Sequence, residues 1–537
     1  MSTVVNFHGK NYIEPGAYAV SVYSPTSVEN VAQFGNVMII DTGLSKDSNG
    51  YEFSGGAGIQ GELVNGLQSV YEFNSYEDFL NFVGGGLIGD IAAKIFTPRE
   101  GVAGAPKLYY CRAAKTTCAT ITLTIGTNTL VFKCKNEGVV GNGVEVGGSL
   151  KLGYSAKIVS GIDDPTKFKL QIFKGTYQGI DDSGEIFGTK TIDDSTPDLI
   201  VESGEFSTFN DLYNWCILDK YVKNNFVVSK TGTDNSNLVV VAEVLATGGT
   251  TDYTSAGAYD DVLENISELD ITTFLCTNTT VAAGTDASTN GKLFTFLKQS
   301  AKFTEFMVVP GGSDEDDLLG ASDTSQAIAK YYDSEQVIVV HGSPQIVRKD
   351  GNGTKYLNPI YFAATVCGMV GGGQAQTPLT FKKTGYSAFK YNLKKKEREN
   401  ALQAGILHTR NVNGYWVINQ GITTLQDNKR TIADDGQSME FSIALIKAQL
   451  NKEIILDAES RFVGDDAATA SVATVKNFVE TKLQSLTATS DTDNLIISWK
   501  NVKTTASDGD YYTTYDFVPN VPVNKLFFTG NIVDFTA

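Results

Sequence analysis

Between Asn358 and Leu425 the chain reads as an apolar run, a Gly-Gly-Gly break, a charged segment and two short extended pieces. The apolar run Ile360 to Val370 is about eleven residues long, whereas a bilayer-spanning helix needs roughly twenty. Gly371 to Gly373 then end it by removing the side chains with which a helix packs. It is therefore expected to be a buried core helix. A polar helix follows over Leu393 to Ala404, carrying Lys394, Lys395, Lys396 and Arg398 beside Glu397 and Glu399. Gly405 hands over to strand-like pieces holding Ile406, Leu407, Trp416, Val417 and Ile418.

A chain of 537 residues exceeds the roughly 250 to 300 at which one core stops growing, so three or four domains are expected. Gly at 53 against Pro at 12, with frequent Thr, Ser, Tyr and Phe, points to much β structure and many turns. The formal charge of −18 argues against direct contact with nucleic acid, which needs a basic surface. A charge of this size keeps a chain soluble. No membrane insertion is expected. Cys111, Cys118, Cys134, Cys216, Cys276 and Cys367 form no C-x-x-C pair, and they are read as small core residues in a reducing cytosol. Met1 to Val20 has no apolar signal-peptide core, which places synthesis in the cytoplasm.

In chain order, Val4 to Phe7 and Tyr18 to Val22 read as extended around the turn Glu14-Pro15-Gly16, with no pairing partner nearby in sequence. Asn36 to Asp41 is a buried strand. A helix over Ser75 to Phe82, capped by Ser75 with Asp78 three residues on, and a second over Leu87 to Ile95 lead to a strand at Lys107 to Arg112. From Ala119 the pattern turns to period two, with Thr120, Thr122 and Thr124 alternating with Ile121, Leu123 and Ile125, a hairpin signal. Ala119 to Ala242, broken only by a helical patch at Phe209 to Tyr221, reads as a β-rich inserted domain, and Ala246 to Ala256 as a linker. Helices at Tyr259 to Leu269, Gly291 to Ala301 and Gln326 to Tyr332 then alternate with strands at Ile271 to Cys276, Glu305 to Val309 and Val337 to His341, an α/β order. Ile443, Ile446, Leu450, Ile454, Ala458 and Phe462 trace a long amphipathic helix, and Val472 to Leu486 a second. Strands at Leu495 to Trp499 and Tyr511 to Phe517 precede a last extended apolar piece.

Titratable groups that converge on one place are scarce. His8, His341 and His408 are far apart in sequence, and none stands near a nucleophile motif; His341, at a strand end before Gly342-Ser343, is the one to examine. Asp314, Glu315, Asp316 and Asp317 lack the spacing and central Gly of a calcium loop and read as a solvated charge run. Gly84 to Gly86 is followed by no Lys-Ser or Lys-Thr, so no phosphate loop is supported. No enzyme, cofactor or metal is expected.

The order A-x-x-x-G-M-x-x-G-G, then T-P-L-T-F-K, E-x-x-x-A-L-x-x-G-I, a strand ending in G-Y-W-V and a short I-T-T-L strand resembles the core domain of contractile tail sheath proteins of long-tailed bacteriophages. VYEFNSYEDFLNFVGGG with KLYYCRAA, Gly141 to Val146, Pro15 to Tyr18 and the paired helices from Ile446 to Leu486 are similar to further sheath segments. The resemblance implies an α+β, multidomain chain: an α/β sheath core, a β-rich insert and extended terminal arms. The implied divisions are an arm at 1–22, a first core part at 23–118, the outward-facing insert at 119–245, core at 246–357, a tube-facing domain at 358–522 and a C-terminal arm at 523–537. It further implies stacked hexameric rings around a tail tube protein, with baseplate and tail terminator proteins as partners. The virion tail sheath is then the site of action and the host cytoplasm the site of assembly. Residues Val4, Val5, Phe7, Leu526, Phe527, Phe528, Ile532 and Val533 are the expected strand-exchange positions. Lys394, Lys395, Lys396 and Arg398 are expected to face the tube or a neighbour. The alternative is another self-assembling virion protein or a phage-derived contractile injection system; a surface-layer protein would need an export signal.

Overall fold

The structure, a computed structural model, describes residues 5–7, 10–12, 35–41, 70–83, 86–112, 115–137, 141–146, 149–162, 164–175, 177–181, 189–192, 197–232, 236–252, 269–276, 305–320, 324–347, 353–425, 440–464, 470–487, 495–507 and 509–520. Short apolar runs such as VMIID, FMVVP and VIVVH have no polar face, so they fit only strands covered on both sides. They lie in an eight-stranded sheet ordered Tyr415–Ile418, Ile406–Val412, Val337–His341, Phe306–Pro310, Thr273–Cys276, Val37–Asp41, Leu108–Arg112, Val70–Phe73. The six inner strands are parallel, and each edge strand is antiparallel to its neighbour.

Successive side chains alternate between the two faces. Val37, Ile39, Leu108, Tyr110, Val308, Ile338 and Val340 join one core, together with residues of helices Tyr76–Val83, Gly86–Phe96, Pro359–Gly371, Phe441–Phe462 and Val472–Ser485. Met38, Ile40, Tyr109, Met307, Val309, Val337 and Val339 join the opposite core, with residues of helices Ser325–Tyr332 and Lys395–Gln403. The mixed α/β class read from the sequence is what the chain adopts.

Helix Pro359–Gly371 is buried on almost every side, as its apolar run requires. Asn358 caps it, its side chain accepting from the Ile360 N–H at 3.0 Å, and Pro359 occupies the first turn where its missing donor costs nothing. Its glycines do more than stop it. A Cβ on Gly368 would sit 2.4 Å from the Lys94 carbonyl oxygen, so the bare backbone lets this helix lie directly against Gly86–Phe96. Gly35, at φ +118°, meets Gly371 in the same way, with a Cβ 2.0 Å from the Gly371 oxygen.

A third core uses only residues from Ala119 to Ala246. It lies among two antiparallel four-stranded sheets, Asp198–Glu202, Phe168–Lys174, Tyr154–Ser160, Val241–Leu245 and Phe226–Thr231, Asn128–Glu137, Lys115–Ile125, Thr250–Asp252, and helices Phe209–Leu218 and Lys220–Asn225. Asp219 separates those helices and accepts from the Val222 N–H at 2.9 Å. The Gly-Thr-rich stretch read as a linker is corrected here: Ala246 is fully buried, and Thr250–Asp252 pairs with Lys115 to Thr117. The I-T-T-L stretch also differs from its reading, because Ile422 makes only an isolated bridge to Glu440. The helices expected at 259–268 and 291–301 lie outside the described residues.

Candidate assembly surfaces

The N-terminal strand has a local partner, contrary to the sequence reading. Val5–Phe7 pairs antiparallel with Lys10–Tyr12, and the two residues between them are a connection short enough to close a hairpin. Val4 and the whole C-terminal set, Leu526, Phe527, Phe528, Ile532 and Val533, lie outside the described residues. Nearer the C-terminus, Ile496–Ser507 and Asp510–Pro519 form a long antiparallel pair that, among the described residues, has no third strand. Ile497 within it is 54% exposed. Two strands alone are marginal in water, so such a ribbon gains from a further strand on either edge.

The cationic helix Lys395–Gln403 meets the acidic run that sequence reading treated as a solvated face. Lys390 Nζ lies 2.5 Å from Asp314 and Lys394 Nζ 3.4 Å from Glu315. Glu397 reaches back to accept from the Lys394 N–H at 2.6 Å, and its carboxylate lies 3.2 Å from the Lys394 ammonium. The hydrogen bonds this ammonium donates to Tyr391 and Glu397, with the charge of Glu315, hold it above its ordinary range. Lys395 pairs with Glu399 at 3.8 Å. Two of the four cations are thus compensated within the chain. Lys396 is exposed, and Arg398 donates to the Leu393 carbonyl. Asp314 and Glu315 stand about eighty residues upstream of their partners, a separation at which no local spacing rule operates.

No family model and no curated protein matches the sequence. By structure the chain is similar to the sheath tail protein from Listeria innocua, with a TM-score of 0.54 and 16% identity over 91% of this chain and 96% of that one. The chain has the sheath tail protein fold. A sheath tail protein from Desulfitobacterium hafniense aligns with a TM-score of 0.49 and 16% identity, over 94% of this chain and 100% of that one. The contracted helical sheath of the anti-feeding prophage gives 0.45 and 11%, over 96% and 98%.

Within this sheath fold the histidines His341 and His408 are buried. His341 and His408 stand in register on neighbouring parallel strands, 3% and 0% exposed. Ser325 Oγ accepts from the Gly312 N–H at 2.8 Å and lies 2.9 Å from His341 Nδ1. Ser325 is itself 0% exposed, so this serine–histidine pair lies inside the fold. His408 Nδ1 is 3.1 Å from the Ile406 carbonyl, to which it donates, and its Nε2 lies 3.1 Å from Asn419 Nδ2. Burial pushes both imidazoles down to about 4; Asp317 and Asp314 oppose this at His341. Cys111, Cys134, Cys216 and Cys367 are buried, and burial pushes the Cys134 thiol up to about 12. Among the described residues no three His, Cys, Asp or Glu side chains are grouped to hold a metal ion, and no helix is long and apolar enough to cross a membrane.

Proposed function

We propose that this chain is the structural, non-enzymatic subunit of a contractile tail sheath, of a bacteriophage or of a phage-derived injection system. The observation that carries this reading is the match of fold to a sheath tail protein across nearly the whole of both chains. Copies stack as hexameric rings around an inner tail tube, bounded by baseplate and terminator proteins, and contract to drive the tube through an envelope. The particle assembles in the host cytoplasm and acts as part of the virion tail.

Residues 119–245 form an outward-facing inserted domain, and 246–357 with 358–522 form the core that faces the tube. Linkage comes from strand addition. Residues Val4 to Phe7 and Leu526 to Phe535 each extend a sheet of a different neighbour, and the two-stranded ribbon Ile496–Ser507 with Asp510–Pro519 is the sheet with most to gain. Main-chain hydrogen bonds then tie copies into a mesh, while each core turns as a rigid body. Lys394, Lys395, Lys396 and Arg398 lie toward the tube or a neighbour; Lys396 and Arg398 carry the interaction, because Lys394 and Lys395 already have carboxylate partners.

Negative-stain micrographs of the purified chain test the reading. Long striated tubes are expected on concentration. Monodisperse single copies at every concentration and salt would overturn it.

A further inference from the structure

The edge strand Tyr415–Ile418 bears a feature that the strand-addition reading does not use. Its outer side is already bonded to the preceding segment: Phe381 N–H donates to Ile418 O, Ile418 N–H to Lys382 O and Thr384 N–H to Trp416 O, each at 2.9 Å. Lys383 bridges Val417, and Arg410 is in register with Val417 from the other side. By the alternation of side chains, Phe381, Lys383, Arg410 and Tyr415 therefore share one face. The contacts agree, with the Arg410 guanidinium 4.3 Å from the Phe381 ring centre and Lys383 Nζ 3.5 Å from that of Tyr415. Both rings are half in solvent, at 48% and 56% exposed.

Three properties set this face apart. Phe381 holds φ +61°, a conformation that a bulky L-residue adopts only under constraint. Next, Arg410 Nε is buried with no hydrogen-bond partner. Finally, Lys383, Arg398 and Arg410 have no carboxylate partner among the described residues, although the chain is acidic overall. Arg398 lies close enough to Arg410 for the two like charges to oppose each other. Cations packed together on aromatic rings and left without counter-charge fit an acidic protein surface.

The opposite edge of the same sheet supplies one. After edge strand Val70–Phe73, helix Tyr76–Val83 opens with Glu77 and Asp78, both exposed and neither ion-paired among the described residues. Seven strand spacings of about 4.8 Å separate the two edges, about 34 Å, so they cannot meet within one copy. We propose that the Phe381, Lys383, Arg410 and Tyr415 face docks on the Glu77 and Asp78 edge of a second copy of this chain. Copies then associate head to tail through opposite edges of one sheet, a contact that repeats into a ring or a helix. This names a partner for the basic face and rests on the self-assembly reading above.

The test is a charge swap in the full chain, read by sedimentation velocity at low salt. Lys383→Glu and, separately, Glu77→Lys/Asp78→Lys should each weaken self-association by about tenfold or more, because like charges then face each other. An equal mixture of the two should recover it, since both contacts become complementary again. Tyr415→Ala, which removes only an exposed ring, should weaken association with an unchanged circular dichroism melt. Wild-type association by either charge variant alone, or failure of the mixture to recover, would overturn the proposal. Tubes formed by wild type and both variants alike would sink this surface and leave the sheath reading standing. Recovery in the mixture with no tubes from wild type would do the reverse.

Discussion

Acid should loosen this protein well before its carboxylates titrate, and the cause should be traceable to two side chains. His341 and His408 are buried side by side and held neutral, with pKa values near 4, against about 6.5 for an unfolded histidine. Because the folded-state value is the lower one, the unfolded chain takes up the protons first. The stability these groups contribute is complete above pH 6.5 and is lost as pH falls from 6.5 toward 4. Between pH 7 and pH 5 the loss is about 2 kcal/mol per histidine, so about 4 kcal/mol for the pair. Urea denaturation followed by intrinsic fluorescence, repeated at half-unit pH steps, measures it. His341→Gln/His408→Gln should be less stable than wild type at pH 7 but nearly flat from pH 7 to 5. A wild-type midpoint that does not move over that interval, or a double variant with the wild-type slope, would refute the argument.

Three further outcomes are expected. Gly368→Ala forces a Cβ to within 2.4 Å of the Lys94 oxygen, so helix Gly86–Phe96 must shift, and a loss of about 1–3 kcal/mol should appear in the urea midpoint. Lys482 lies 3.0 Å from Glu453 and 2.7 Å from Asp457, and Glu453 is nearly buried. Lys482→Met should therefore cost about 3–5 kcal/mol, and adding Glu453→Gln should restore most of it, as a double-mutant cycle would show. Removing Met1 to Asn11, or ending the chain before Val523, should give folded copies that form no tubes; a lost cooperative melt would instead make those segments part of their own domain's sheet.

Which parts of this fold could be read from residues alone follows from the range of the forces involved. Thr120 to Ile125 declared a half-buried strand because its pattern repeats every two residues, and Ser75 with Asp78 declared a helix start because capping acts within one turn. The order of the large sheet could not be read. Val37 pairs with Thr273 across more than two hundred residues, and any of several apolar runs would have served as its neighbour. The same limit hid the pairing of Lys390 and Lys394 with Asp314 and Glu315, so each charge run looked free on its own. Glycine was misjudged for another reason: sequence shows Gly371 to Gly373 as an absence of side chains, whereas the fold uses Gly368 and Gly371 as surfaces for another backbone. The cation and ring face at Tyr415 was missed because its members come from two segments joined only by a hairpin edge, although Phe381 and Lys382 already stood within the T-P-L-T-F-K motif.

The pairing of Thr250–Asp252 with Lys115 to Thr117 brings the chain's way into the third core beside its way out. Antiparallel partners stand about 5 Å apart, so among the described residues the chain enters and leaves the third core through one two-stranded stem. Closing that stem costs an entropy that grows only with the logarithm of the length enclosed. The main sheet therefore sees the same two adjacent chain ends whether the stem carries this body, a larger one or a short turn. That makes residues 117 and 250 a natural socket for grafting: an unrelated module whose own termini lie side by side could be carried there, leaving the eight-stranded sheet as it is.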